Sequence, residues 1–168
     1  NTAAVINYPD THADMVRPGI ALLGAYPSPL VKRVLALKPV LALKSKVVEL
    51  KRIGPGTGVG YNQRHVARGT ETIAILPIGY ADGYSTHLSG VGEVLIRGAR
   101  CRVVGQVSMD FTAVSIPEGV MAGVGDEAVL LGRQGGKVIA LEELAAWMGV
   151  VPYEPLALLG PRVRRHYV

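Results

Sequence analysis

The hydrophobic and polar positions fall into short alternating runs separated by turn residues. Apolar residues recur in Glu71 to Ile78, Glu93 to Ile96, Arg102 to Val107, Thr112 to Ile116, Glu127 to Leu131 and Lys137 to Ile139. This spacing predicts a run of short strands in a barrel or sandwich. Arg97-Gly98-Ala99 and Gln134-Gly135-Gly136 read as hairpin turns. Leu41 to Ile53 partly alternates and predicts one long half-buried strand, ended by Gly54-Pro55-Gly56. Leu141 to Met148 has helical spacing with Gly149 as its stop, and Tyr153 to Leu158 suits a short helical turn. Arg162 to Tyr167 is expected to form the last strand. Ahead of these, Asn1 to Ala4 is expected at a strand end. Gly19 to Gly24 is expected as a buried parallel strand. Tyr26-Pro27-Ser28-Pro29 is a breaker cluster, and the pattern changes character near Lys38-Pro39. Two domains are therefore expected, 1–39 and 40–168.

Composition narrows the functional classes. The 168 residues are 49% hydrophobic, enough for a sizeable core. No apolar run reaches the roughly 20 residues of a membrane span. The net charge of +5 could suit nucleic acid, but the basic residues are scattered and aromatics are only 5%, too few for a base-stacking surface. Neither nucleic acid nor membrane is an expected partner. One cysteine, Cys101, rules out an internal disulfide framework and suits a reducing compartment. It reads as an inert core thiol. His12, His65, His87 and His166 lack metal-ligand spacing, so no metal is expected. No signal peptide or initiator methionine precedes Asn1, as expected of a piece of a longer protein.

Three segments stand out within the strand pattern: Gly58-Val59-Gly60-Tyr61-Asn62, Leu76-Pro77-Ile78-Gly79-Tyr80-Ala81-Asp82-Gly83, and Val104-Gly105-Gln106-Val107-Ser108-Met109-Asp110. Each is strand-like and broken by glycine beside a polar or aromatic residue. Taken alone, each reads equally well as a rim tyrosine, a self-bonding aspartate turn or core packing.

In this order, the three segments resemble the C-terminal part of alanine racemase, a pyridoxal-phosphate (PLP) enzyme. Asn1-Thr2-Ala3-Ala4 and Met15 to Gly24 look like the last strands of that family's TIM-type barrel, and Tyr153-Glu154 and Arg162-Val163 match its C-terminal region. The resemblance implies a mainly β C-terminal domain behind the end of a TIM-type (β/α)8 barrel, as part of a cytoplasmic bacterial isomerase that supplies D-alanine for peptidoglycan. It implies a homodimer with active sites shared between subunits, a small-molecule amino-acid substrate, and a missing N-terminal barrel segment that carries the PLP lysine.

By the same resemblance, Tyr61 is the catalytic tyrosine, exchanging the substrate's α-proton on the face opposite that lysine. The Met109 backbone N–H binds the substrate carboxylate. Arg17 lies against the PLP ring nitrogen, while Thr2, Gly19 and Ile20 hold the phosphate. Tyr80, by that resemblance, contacts the phosphate from the other subunit. Tyr80, Asp82 and Asp110 surround the access corridor. The chain departs from the family pattern at Pro161, where some members place a phosphate tyrosine, and at Thr86 and Gln106, where some place arginines. A broad-specificity racemase, a decarboxylase of the same PLP fold type and a non-catalytic β-rich assembly module stay open as alternatives.

Overall fold

The computed structural model describes residues 1–168. Its centre is an antiparallel sheet of β1 (Leu43–Lys46), β2 (Glu49–Ile53), β5 (Glu71–Leu76), β6 (Glu93–Ile96), β7 (Ala99–Val104), β8 (Thr112–Ile116), β9 (Glu127–Gln134) and β10 (Lys137–Ile139). The strand order is β1-β9-β6-β7-β8-β5-β2, with β10 pairing only to β9. A small hairpin, β3 (Gly58–Val59) with β4 (His65–Val66), stands apart.

The alternating pattern explains how the sheet curls. Thr112, Val114 and Ile116 of β8 all point inward, with Ala113 and Ser115 between them. The predicted long strand Leu41–Ile53 is broken at Val47-Val48. Before the break the chain pairs with β9, and after it with β5. Val47 N–H donates to Asp126 O, and Val48 N–H to Ile75 O, so the kink carries the chain from one end of the sheet to the other. Val47 is buried there. The two sheet ends thus meet on one kinked chain segment, and the sheet curls round between them.

The interior holds one large apolar cluster, including Leu76, Val94, Ile96, Val103, Val114 and Leu130. Val94, Leu95 and Ile96 are all buried because β6 is covered on both faces. On the outer face Leu95, Val129 and Ile139 pack together, with Trp147 against them. Trp147 belongs to α2 (Leu141–Met148), which buries Leu141, Leu144, Ala145 and Met148, one stripe at helical spacing. Arg100 fastens this layer. Its guanidinium meets Glu93 at 2.7 Å, Glu143 at 2.8 Å and the Val138 carbonyl at 2.7 Å.

Three expected strands do not form. Thr2–Asn7 is a helix, α1, capped by the Asn1 side chain on Ala4 N–H. Ile20–Leu23 is a single 3-10 turn. No neighbouring strand lies beside it in this chain, so its groups bond locally, Leu22 N–H to Gly19 O and Gly24 N–H to Ala21 O. Residues 1–42 contain no strand at all, so nothing here takes the form of the last strands of a barrel. Arg162–Tyr167 is also irregular, because its backbone finds no sheet edge; Val163 N–H donates to Gly160 O and Arg165 Nη2 to Leu159 O. The front segment still packs onto the sheet, since Ile20 and Ala25 enter the main core and Tyr26 N–H donates to Glu142 Oε1. The hairpin turns at Arg97-Gly98 and Gly135-Gly136, α2 with its Gly149 stop, and α3 (Glu154–Ala157) lie where the pattern predicts them.

Two ion pairs on this frame set a pH dependence. The Arg97 guanidinium holds the Asp126 carboxyl below its ordinary value, aided by the Gly123 N–H. Lys44 does the same to Glu127. A depressed carboxylate contributes stability above its unfolded pKa and loses it as pH falls through the folded one. The urea midpoint should therefore fall as pH drops below about 4, and Asp126→Asn should flatten that fall. An Asp126→Asn protein with the parent's acid profile would contradict this assignment.

Candidate active site

The three glycine-broken segments meet at one place. The β3–β4 hairpin carries the turn Tyr61–Gln63 at its tip. Asn62 and Gln63 sit at φ 57° and 47°, left-handed values that cost non-glycine residues strain. The hairpin is braced at its base by His65 Nε2 against Glu71 Oε2, 2.8 Å apart. It leans on Gly105, whose missing side chain leaves room for the Val59 carbonyl. Tyr61 is 69% exposed, and its hydroxyl bonds to nothing within the chain.

The second segment is fastened to the third by backbone. Tyr80 N–H donates to Ser108 O and Ala81 N–H to Met109 O. A Cβ on Gly79 would collide with both of those carbonyls, so the approach requires glycine. Asp82 Oδ2 accepts from Gly79 N–H at 2.9 Å and closes the turn. The third segment is itself a tight turn, in which Ser108 N–H donates to Phe111 O and Phe111 N–H to Ser108 Oγ. Met109 and Asp110 ride at its tip. The Met109 N–H meets no acceptor within the chain. Arg162 reaches this turn from the C-terminal tail and lies against both Asp110 and Asp82.

A second group forms at the front of the chain. The buried Thr2 Oγ1 accepts from Gly19 N–H at 2.9 Å, which leaves the Thr2 O–H free to donate. Ile20 is 1% exposed, yet its N–H meets no acceptor. Buried N–H groups are nearly always paired, so this one calls for an acceptor from outside the chain. A hydroxyl and an orphaned N–H on neighbouring residues fit an anionic oxygen such as a phosphate. Arg17, two residues before Gly19, is exposed and makes no ion pair within the chain. Tyr153, from the C-terminal side, borders the space that a Gly19 side chain would fill.

The structure therefore brings Tyr61, Tyr80, Asp82, Met109 and Asp110 together around one loop, and Thr2, Gly19 and Ile20 around another. No hydrogen bond or ion pair joins the two groups. Sequence reasoning expected Ile20 at the phosphate, but it named Tyr153 and Arg162 only as matches to the family's C-terminal region and gave them no part in a site, because each matters only through a contact distant in sequence. Cys101 is buried, and burial pushes its thiol up to about 11, so it stays protonated and unreactive. No group of His, Cys, Asp or Glu is set to hold a metal. No helix is long and apolar enough to cross a membrane.

The fold is thus a curled antiparallel β domain with its polar groups carried on loops. The pattern of the family "Alanine racemase, C-terminal domain" matches residues 40–167, and this chain belongs to that family. The whole chain is similar to the alanine racemase of Carboxydothermus hydrogenoformans, at 46% identity over 169 residues, and to alanine racemase 2 of Bacillus subtilis, at 44% over 172. It spans a little under half of each, 46% and 43%. The crystal structure of alanine racemase from a D-cycloserine-producing Streptomyces lavendulae superposes with a TM-score of 0.94 at 35% identity, covering 100% of this chain and 44% of that one. The Bartonella henselae enzyme with covalently bound pyridoxal phosphate superposes at 0.84 and 35%, covering 92% of this chain and 42% of that one.

The close approach at Gly79 can be tested by itself. Gly79→Ala should destabilise the fold by about 1–3 kcal/mol, the usual cost of inserting a methyl into a packed site. Limited proteolysis should then cut faster between residues 79 and 110. Unchanged stability and cleavage would mean that the contact is not tight.

Proposed function

We propose that this chain is the C-terminal part of a PLP-dependent alanine racemase, a bacterial cytoplasmic enzyme interconverting L- and D-alanine for peptidoglycan. Residues 1–39 then end the cofactor-binding domain, and 40–168 form the β domain. The observation that carries this reading is the pairing of a free tyrosine hydroxyl with a free Met109 N–H on loops packed against one another.

Inverting a stereocentre needs one group to take a proton from one face of Cα and another to return it on the opposite face. Tyr61 is the group on one face. It is held on a strained turn and makes no competing hydrogen bond, so its oxygen is available to the substrate. The opposite face belongs to a lysine in the portion of the relatives that this chain does not span. Met109 N–H takes one oxygen of the substrate carboxylate, which fixes Cα relative to Tyr61. The Thr2 hydroxyl and the Ile20 N–H would hold the PLP phosphate, with the Gly19 N–H orienting that hydroxyl through its bond to Thr2 Oγ1 and Tyr80 touching the phosphate from the second subunit. When bound, PLP supplies an electron sink for the charge left on Cα. Arg17, permanently charged and only a donor, would face the ring nitrogen and keep it unprotonated, which moderates that sink. No hydrogen bond or ion pair joins the two groups directly within one chain, which supports a homodimer with each site completed across the subunit boundary.

In the full-length enzyme, Tyr61→Phe should lower racemisation by about 10²- to 10⁴-fold, the range of a general acid–base group. Solvent exchange of the α-proton should fall much further for L-alanine than for D-alanine, which the lysine serves. Near-parent exchange from both enantiomers would remove Tyr61 from the reaction.

A further inference from the structure

Arg162 closes a ring of contacts that leads back to Met109. Its Nη2 donates to Asp110 Oδ1 at 2.6 Å, and its Nε lies 3.2 Å from Asp82 Oδ1. The other Asp82 oxygen is committed to Gly79 N–H. Ala81, between Gly79 and Asp82, donates its N–H to Met109 O, and Asp110 follows Met109 in the chain. The tail that delivers Arg162 is itself docked here. Gly160 N–H donates to Asp82 O, and a Cβ on Gly83 would collide with the Leu158 carbonyl.

This ion cluster is poorly placed to serve stability. The Arg162 side chain is 51% exposed, and exposed pairs contribute little to folding. Geometry suggests another purpose. A planar guanidinium fork holds two carboxylates at once in a fixed geometry, whereas an ammonium on its flexible stem fixes them less closely. The cluster also sets the local charge. Two carboxylates less one guanidinium leave a single negative charge beside the Met109 N–H. Without Arg162 there would be two, in the place where an amino acid must bring its own carboxylate.

We propose that Arg162 is a positioning residue for the substrate: by bridging Asp82 and Asp110 it fixes the Met109 turn and screens the carboxylates that would otherwise repel the substrate's. The proposal rests on the racemase reading above. It assigns Arg162 no contact with substrate or cofactor.

The test uses the full-length enzyme and its Arg162→Gln, Arg162→Lys, Asp110→Asn and Arg162→Gln/Asp110→Asn variants. Arg162→Gln should raise KM for both alanine enantiomers about tenfold, as an uncompensated like charge beside a binding group does. Its kcat should stay within about threefold, since no proton-transferring group is touched. Arg162→Lys should give an intermediate KM. The double variant should recover most of the lost affinity, because the unscreened charge is gone; a residue that only supports the fold would not be relieved in this way. Amide exchange of residues 79–83 and 108–111 should be faster in Arg162→Gln. If Arg162→Gln does not fold, Arg162→Lys and its Asp110→Asn partner carry the same comparison. A parent-like KM in Arg162→Gln or Arg162→Lys, a raised KM that Asp110→Asn leaves unrelieved, or unchanged amide exchange would overturn the proposal. If the unaltered enzyme fails to interconvert the enantiomers, the racemase reading itself falls, and this proposal with it.

Discussion

The contact on which the functional end of this molecule depends is the backbone-to-backbone seam between Gly79-Ala81 and Ser108-Met109. Two hydrogen bonds form it, and it exists only because Gly79 has no side chain. The seam joins the loop after β5 to the loop between β7 and β8. Since β5, β7 and β8 are already sheet neighbours, the loops inherit rigid anchors and need little further ordering. The β3–β4 hairpin then leans on Gly105 in the same loop. Tyr61, Tyr80 and Met109 are thus exposed without being loose, as groups must be if they are to meet a ligand in a fixed geometry.

The C-terminal tail is a strut between the two candidate groups. Tyr153 faces the space beside Gly19, Leu158 and Gly160 lie on the Asp82 turn, and Arg162 ends on Asp110. The tail has no strand to stiffen it, and it is held by side chains and single backbone bonds instead. A change at the front of the chain could therefore be felt at the Met109 turn through these few contacts.

Much of this was legible in the sequence where the signal is local. Period-two alternation with glycine turns gives most of the strands, and helical spacing ended by Gly149 gives α2. The glycine-broken segments mark the loops of the site, because only glycine permits the close approaches found at Gly79 and Gly105. What was illegible depends on partners far along the chain. Gly19 to Gly24 has a strand's composition, but a strand needs a neighbour to bond, so it becomes a 3-10 turn. Arg162 to Tyr167 fails as a strand for the same reason. The break at Val47-Val48 is invisible to alternation, since it comes from two different pairing partners rather than from a turn residue. Arg162 looks like one of several tail arginines until the fold sets it between two aspartates.

The central claim is that the Thr2–Ile20 group of one copy and the Tyr61–Met109 group of another complete one site. Mixing two inactive full-length variants tests this directly. One carries Arg17→Glu and the other Tyr61→Phe, and the subunits are dissociated and allowed to re-pair. Random re-pairing gives half hybrid dimers, each with one site in which both residues are intact, so activity should rise to about a quarter of the unaltered enzyme. Mixtures no more active than the separate variants would place Arg17 and Tyr61 in the same copy's site and contradict the shared arrangement.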